Sequence, residues 1–215
     1  MFKSRVDAGQ QLTQKILDEI GVLSRENAVV LSIPRGGVVI GNEVATKLSL
    51  PHDVIVTKKI PSSGEKELAI GAVGETKGSV YLNNRLVTSL KISQNYVRDT
   101  IEKLQQEIAE RENMYRKKMP EIRLTDKRVL IIDDGAATGS TMVAAVREIW
   151  NRKPKQVIVA LPVCPVETLK LLEKEADVVL VVEVPPMFYA ISQYYEAFPQ
   201  ITDEEVVNII GSKQG

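Results

Sequence analysis

Five short runs of apolar, mostly β-branched residues recur along this chain, separated by amphipathic stretches. The runs span residues 28–33, 53–57, 128–133, 156–163 and 177–183. They lack the polar alternation of a strand that has one face in water, so both faces of each strand are expected to be buried. Strands of this kind lie in parallel sheets covered by helices on both sides. The pattern therefore predicts an α/β fold with a central, mostly parallel sheet flanked by helices.

The stretches between and around these runs have the spacing of amphipathic helices. We predict helices over residues 6–20, 37–48, 138–152 and 166–175. A last helix is predicted to begin at Thr202, because Glu205 follows three residues later as in a capping box, and to stop at Gly211. This last helix would form a C-terminal cap on the sheet.

Residues 58–125 interrupt the alternation of strands and helices. Turn-rich stretches at 60–64 and 74–78 accompany a possible hairpin made of 69–73 and 79–82. The charged stretch 93–118 follows, and its apolar residues are spaced by 4, 3 and 4, which predicts one long helix with a single apolar stripe: Val97, Ile101, Leu104 and Ile108. We therefore predict a single domain over 1–215, with 58–125 as a lid, hairpin and helical insertion. The long helix could be a dimer arm, a support for the lid or a platform for a partner.

Composition excludes several classes of protein. Lys and Arg together number 28, as do Asp and Glu, so the zero net charge gives no reason to expect nucleic acid as a partner. The one cysteine, Cys164, excludes an intramolecular disulfide and a multi-cysteine zinc site, and the one histidine, His52, is expected in a surface turn. The start has no apolar signal-peptide core, and no apolar run approaches the ~20 residues that span a bilayer. We expect a cytoplasmic protein without a membrane partner.

The most informative segment is 129–141, VLIIDDGAATGST, in which a predicted strand ends in two acids and runs into a helix. A loop of this kind at the carboxyl end of a parallel strand is a ready anion site. Its small residues allow backbone N–H groups to approach a phosphate, and its hydroxyls add donors: Gly135, Ala136, Ala137 and Gly139, with Thr138, Ser140 and Thr141. Asp133 and Asp134 are suited to accept hydrogen bonds from a sugar diol. The segment therefore predicts a sugar monophosphate ligand.

Two common nucleotide-binding motifs do not match this segment. A nucleotide-binding P-loop requires a lysine after its last glycine, and none follows Gly139. The G-x-G-x-x-G dinucleotide motif is absent from this loop and from 36–41. The remaining alternative is a plain strand–turn–helix whose acids only cap the helix.

A second candidate loop, Pro34, Arg35, Gly36 and Gly37, also lies between a predicted strand and a predicted helix. The two glycines allow close backbone approach, and the arginine offers a bidentate fork for phosphate. Alone, this segment is also compatible with a simple tight turn. Beside the first loop it predicts a second anion site, so a ligand with a phosphate at each end and a sugar between would bridge the two.

With these two loops the sequence resembles the type I phosphoribosyltransferases, which use 5-phosphoribosyl 1-pyrophosphate (PRPP). Residues 129–141 resemble the ribose-phosphate signature of that family, and 33–37 resemble its pyrophosphate loop. The likeness covers most of the chain and is closest to the group described as predicted phosphoribosyltransferases, through 58–60, 67–72 and 188–207.

The resemblance implies a role for each loop. Asp133 and Asp134 would hold the ribose hydroxyls, and residues 136–141 would hold the 5′-phosphate. Residues 34–37 would bind pyrophosphate, in a loop where the family often has a non-proline cis peptide. Mg²⁺ is the implied cofactor, held mainly by ligand oxygens and water with Asp133 and Asp134 contributing. A homodimer is also expected.

The implied reaction is attack of a base nitrogen on the anomeric carbon as pyrophosphate leaves. Its catalytic residues would be Arg35, Lys59 and Asp134, with Lys58 as the alternative to Lys59, and residues 60–78 would form a closing lid. The two lysines match the basic residue that the family has at the end of the strand feeding its mobile loop. A solvated strand end would also account for them.

The acceptor base is left open. Phe188 matches the position of a stacking aromatic in purine-salvage relatives, and Tyr189 follows it, although the aromatics of 188–198 could also pack the C-terminal helix. Ala137 stands where those relatives carry an aspartate, so a pyrimidine or an unusual acceptor fits the sequence as well as hypoxanthine or guanine does. Two further functions also remain: a regulatory protein that binds PRPP or a nucleotide without catalysis, and a hydrolase or phosphorylase acting at the same carbon.

Overall fold

The computed structural model describes residues 1–65, 68–117 and 120–211. Glu67, which belongs to the resemblance over 67–72, and the last residue of the predicted helix 93–118 lie outside the described residues. The strands are β1 (Ala28–Ser32), β2 (His52–Val54), β3 (Lys58–Pro61), β4 (Ala69–Val73), β5 (Val80–Leu82), β6 (Arg128–Ile132), β7 (Gln156–Val163) and β8 (Val178–Glu183). The helices are α1 (Arg5–Ile20), α2 (Gly36–Leu48), α3 (Asn84–Ser89), α4 (Gln94–Arg116), α5 (Ser140–Trp150), α6 (Val166–Leu172) and α7 (Asp203–Gly211), with a 3₁₀ turn at Ile191–Tyr194.

The main sheet has five strands in the order β2-β1-β6-β7-β8, and all its pairings are parallel. Side chains alternate between two apolar layers: Val29 and Leu31 contribute to the layer under α5, whereas Val30 contributes to the layer under α1 and α2. This two-sided burial explains why the central strands are apolar at consecutive positions. The predicted fold class is confirmed.

Residues between β2 and β6 build a second layer beside the main sheet. Strands β3, β4 and β5 form an antiparallel sheet, which includes the predicted hairpin. Helix α4 follows with Ser93 as its N-cap, and its Val97 and Ile108 pack into a third apolar core with α7 and the small sheet. The apolar stripe predicted for the long helix therefore faces the protein.

Helix α7 begins with the predicted capping box. The Thr202 backbone N–H donates to the Glu205 carboxylate at 2.7 Å, and the Glu205 N–H donates to the Thr202 hydroxyl at 3.2 Å. These two bonds satisfy donors that a helix start leaves unpaired.

Among the described helices, none combines the length and the apolar character that a membrane span requires.

His52 corrects one expectation from the sequence. It is buried in β2 rather than exposed in a turn, and its Nε2 lies 2.8 Å from the Ser32 hydroxyl on β1. The strand also ends at Val54 instead of continuing to Thr57. The Ile55 N–H still donates to the Ser32 carbonyl on β1 at 3.0 Å, but the Val56 N–H leaves the ladder and donates to the Glu112 carboxylate on α4 at 3.0 Å.

Candidate active site

The two loops predicted to bind anions meet at the carboxyl ends of the adjacent strands β1 and β6. A Cβ added to Gly37 would lie 2.8 Å from the Cα of Asp133, and one added to Gly36 would collide with the Asp134 carboxylate. The peptide between Pro34 and Arg35 is cis. The first loop therefore lies directly on the acids that open the second.

The two acids are held close together. The Asp134 backbone N–H donates to Asp133 Oδ1 at 2.8 Å. Burial raises the pKa of Asp133 well above its usual range, and the charge of Asp134 raises it further. Burial also raises the pKa of Asp134, against the opposing charge of Arg5. Such a pair suits hydroxyl ligands, which donate to a carboxylate and accept from a protonated carboxyl.

Arg5 is a member of this site that the sequence analysis did not identify. Its Nε and one terminal nitrogen both reach Asp134 Oδ2, at 2.9 and 2.8 Å, and its side chain is only 8% exposed. The sequence offered one indirect signal. Arg5 is a cation in the first turn of α1, where the helix dipole disfavours a positive charge. The contact itself joins residues 129 positions apart and so is invisible to local pattern analysis.

The loop after the acids ends at the N-terminus of α5. Gly139 caps that helix with φ 73°, and a Cβ there would lie 3.0 Å from the Thr168 methyl group. The Thr168 hydroxyl donates to the Ala137 carbonyl at 2.6 Å, which holds the loop while Ala137 and Thr138 stay exposed. Because the first N–H groups of a helix have no partner within the helix, this loop can bind an anion.

Phe188 and Tyr189 lie beside the same loop. They line a cavity of about 500 Å³ together with residues of the loop, of α6 and its N-cap, and of the segment after β8: Ala137, Thr138, Pro165, Glu167, Thr168, Leu171 and Pro186. The Phe188 ring stacks on Tyr194 with centroids 5.4 Å apart, whereas Tyr189 is 79% exposed. The structure thus places an aromatic wall next to the predicted phosphate site.

The three basic residues predicted for the site, Arg35, Lys58 and Lys59, are either exposed or paired outside the two loops. Arg35 is exposed at the start of α2. Lys58 forms an ion pair with Glu107 on α4, and Lys59 is exposed on β3. In residues 1–65, 68–117 and 120–211, no hydrogen bond or ion pair joins either lysine to 34–37 or 133–141. Both lysines line a separate cavity of about 840 Å³ between the small sheet and α4.

Comparison with known proteins identifies the family. The family described as "Phosphoribosyl transferase domain" matches residues 3–199. Proteins of Mycobacterium tuberculosis strains CDC 1551 and H37Rv, provisionally named phosphoribosyl transferases, are 36% identical to this chain over 208 residues. That match covers 96% of this chain and 46% of each relative, so the chain spans about half their length. The chain belongs to the phosphoribosyl transferase family, as its two loops indicated.

Solved structures share the fold of this chain. TT1426 from Thermus thermophilus is 33% identical, with a TM-score of 0.82 and full coverage of both chains. AQ2163 from Aquifex aeolicus is 16% identical with a TM-score of 0.50, covering 84% of this chain and 72% of that one, and so shows the fold alone.

Proposed function

We propose that this chain transfers the 5-phosphoribosyl group of PRPP to a nitrogen of a base and releases pyrophosphate. The observation that carries the proposal is the direct packing of Gly36 and Gly37 on Asp134 and Asp133. This packing brings the two candidate anion loops to either side of a pair of acids suited to a diol. PRPP has the same order of groups, with a phosphate, a sugar diol and a pyrophosphate.

The proposed assignment follows the loops. Asp133 and Asp134 accept hydrogen bonds from the ribose hydroxyls, and the start of α5 with residues 136–141 holds the 5′-phosphate. Residues 34–37 hold the pyrophosphate, with Arg35 as its cation. The aromatic cavity beside Ala137 and Thr138 receives the base, because a ring of Phe188 or Tyr189 can stack on it.

The reaction requires no covalent nucleophile on the protein. A lone pair of the base nitrogen forms the new bond to the anomeric carbon as the bond from that carbon to pyrophosphate oxygen breaks, and the oxygen keeps the electron pair. A proton on the attacking nitrogen is released to solvent or to the leaving group. The protein contributes orientation of the sugar and fixed donors for the charge that develops on pyrophosphate.

The donor set fits Mg²⁺ delivered with PRPP. Among the residues that the structure describes, no group of three or more His, Cys, Asp or Glu side chains could hold a metal ion. Mg²⁺ commonly keeps several waters and binds through substrate phosphates and one or two carboxylates, a role that Asp133 and Asp134 can fill. When bound, the ion would offset the negative charge of the leaving pyrophosphate.

Pyrophosphate release from Mg²⁺–PRPP, measured with a panel of purine and pyrimidine bases, tests the proposal. We expect release that depends on one base, and loss of that release in Asp133→Asn. The base that supports release names the acceptor, which the alanine at position 137 leaves open. If PRPP binds but no base supports its turnover, the regulatory alternative gains the support. If PRPP does not bind, both loops have been assigned wrongly.

Lys59 is proposed to stabilise the leaving group once the segment 60–78 closes. Unlike that of Lys58, its side chain has no hydrogen bond or ion pair within the described residues, so its ammonium is available to a ligand. We expect Lys59→Ala to lower kcat by about a hundred- to a thousand-fold, because a donor aimed at developing charge acts mainly in the transition state.

Steady-state kinetics and PRPP titration together measure this effect. The dissociation constant of PRPP is expected to stay within about twofold in Lys59→Ala. Lys47→Ala is the matched control, since Lys47 is exposed in the last turn of α2, away from the loop at its start. Equal losses of kcat and PRPP affinity in Lys59→Ala would contradict a role in the transition state.

The cellular compartment and the oligomeric state are also part of the proposal. We expect a cytoplasmic homodimer whose partners are small molecules, PRPP and a base. Sedimentation of the protein at several concentrations measures the oligomeric state directly.

A further inference from the structure

Arg5 uses every nitrogen of its guanidinium group at the candidate active site. Two of the nitrogens reach Asp134 Oδ2, and the third donates to the Pro199 carbonyl at 2.6 Å. The planar face of the group lies over the Phe198 ring, 3.7 Å from its centroid. The side chain is therefore fixed by four contacts, three polar and one aromatic.

Asp134 is held by the same part of the chain from a second direction. The Tyr195 hydroxyl donates to the Asp134 carbonyl at 2.7 Å. Residues 195–199 thus support both the backbone of this acid and the arginine that orients its carboxylate. We call Arg5 with residues 195–199 the Asp134 clamp.

The clamp determines which oxygen of Asp134 is available. Oδ2 is occupied by Arg5 and lies against Gly36, so Oδ1 is the oxygen left to accept from a ligand. A carboxylate with both oxygens in water rotates and loses rotational entropy on binding, whereas this one is held in a single orientation. A guanidinium fork suits this task because its donors are rigid and coplanar.

We infer that Arg5 is a positioning residue for the ribose diol, acting through Asp134. This inference rests on the proposed function of the site. Arg5 does not touch the substrate; it orients and pairs the acid that does. The competing role is purely structural, in which Arg5 only ties the start of α1 to residues 195–199.

Calorimetric titration with two probes, ribose 5-phosphate and inorganic phosphate, separates these two roles. Inorganic phosphate can occupy an anion loop but carries no diol, whereas ribose 5-phosphate also engages the acids. In Arg5→Met we expect ribose 5-phosphate affinity to fall about ten- to a hundred-fold, the range of a hydrogen bond to a charged group, with phosphate affinity unchanged. Arg5→Lys should recover part of the loss, and the exposed Arg25→Met should change neither affinity.

A double-mutant cycle shows whether the effect passes through Asp134. In the Asp134→Asn background, Arg5→Met is expected to cause little further loss of ribose 5-phosphate affinity. An equal loss in both backgrounds, or a parallel loss of phosphate affinity in Arg5→Met, would overturn the inference. Urea unfolding of each variant shows that it is folded at the titration temperature.

Failure of the proposed function looks different in the same titrations. If the wild type binds ribose 5-phosphate no better than inorganic phosphate, the acids do not hold a diol, and both the proposed site and the role of Arg5 are rejected. If the wild type prefers ribose 5-phosphate and Arg5→Met keeps that preference, only the inference about Arg5 is rejected.

Discussion

Replacing Arg116 by alanine is expected to lower the free energy of unfolding by about 3–5 kcal/mol. The Arg116 guanidinium is shared between two buried acids from different parts of the fold. Its Nε lies 3.1 Å from both oxygens of Asp53 in β2, and a terminal nitrogen lies 2.9 Å from Glu112 on α4. The three side chains are 11%, 1% and 4% exposed, so this cluster is shielded from water.

The size of the effect comes from the charges that remain. Burial raises the pKa of Glu112, and the charge of Arg116 opposes that rise. Without the arginine, Asp53 and Glu112 would lose the cation that pairs with both, and the nearby Arg152 is already paired with other acids. Such uncompensated charges are strongly destabilising, and α4 would lose the bonds that Arg116 makes to Asp53 and to the Val54 carbonyl of the main sheet.

Urea denaturation measures the loss. Arg98→Ala is the matched control, because its pair with Asp99 has side chains 65% and 67% exposed and is expected to contribute about 0–1 kcal/mol. Adding Asp53→Asn to Arg116→Ala should recover part of the stability by removing a stranded charge. A loss below about 1 kcal/mol for Arg116→Ala would contradict a buried, compensating role.

The outline of the fold was predictable because its strongest signals are local. A strand buried on both faces must be apolar at consecutive positions, and Val29, Val30 and Leu31 show this by packing into opposite layers. The two site loops were found by the same logic, since polar or glycine-rich residues that end a buried strand lie at one edge of a parallel sheet. Capping residues such as Thr202 and Glu205 interact across three positions and are equally visible in sequence.

The parts that were missed depend on contacts between distant segments. Arg5 resembles any other surface cation in the sequence until Asp134 and Phe198 are seen around it. His52 resembles a turn residue until the Ser32 hydroxyl provides a buried partner. Neither residue belongs to a motif or a periodic pattern, so only the tertiary structure shows its role.

Replacing Gly37 by alanine is expected to reduce kcat/KM by about a hundredfold or more, the loss that a 1 Å displacement of a site can cause. Helix propensity alone predicts that this substitution stabilises the protein, because Gly37 lies in the first turn of α2 and alanine is favoured over glycine in a helix by about 1 kcal/mol. The contacts that the added Cβ would make with the neighbouring loop outweigh this preference. The new Cβ would lie 2.8 Å from the Cα of Asp133 and 2.9 Å from the Ile132 carbonyl oxygen, and both are backbone atoms that cannot rotate away.

The two loops would have to separate to admit that methyl group, moving 34–37 away from the acids. We expect the free energy of unfolding to fall by about 1–3 kcal/mol, the usual cost of overpacking, together with the loss of activity. Gly211→Ala is the matched control, since in the described part of the chain no atom outside the adjoining backbone of α7 lies within 4 Å of the position its Cβ would take. Urea denaturation and steady-state kinetics on both variants measure the two effects. Wild-type activity in Gly37→Ala would mean that the two loops do not meet at this glycine. The proposal that PRPP bridges the loops would then lose the observation that supports it.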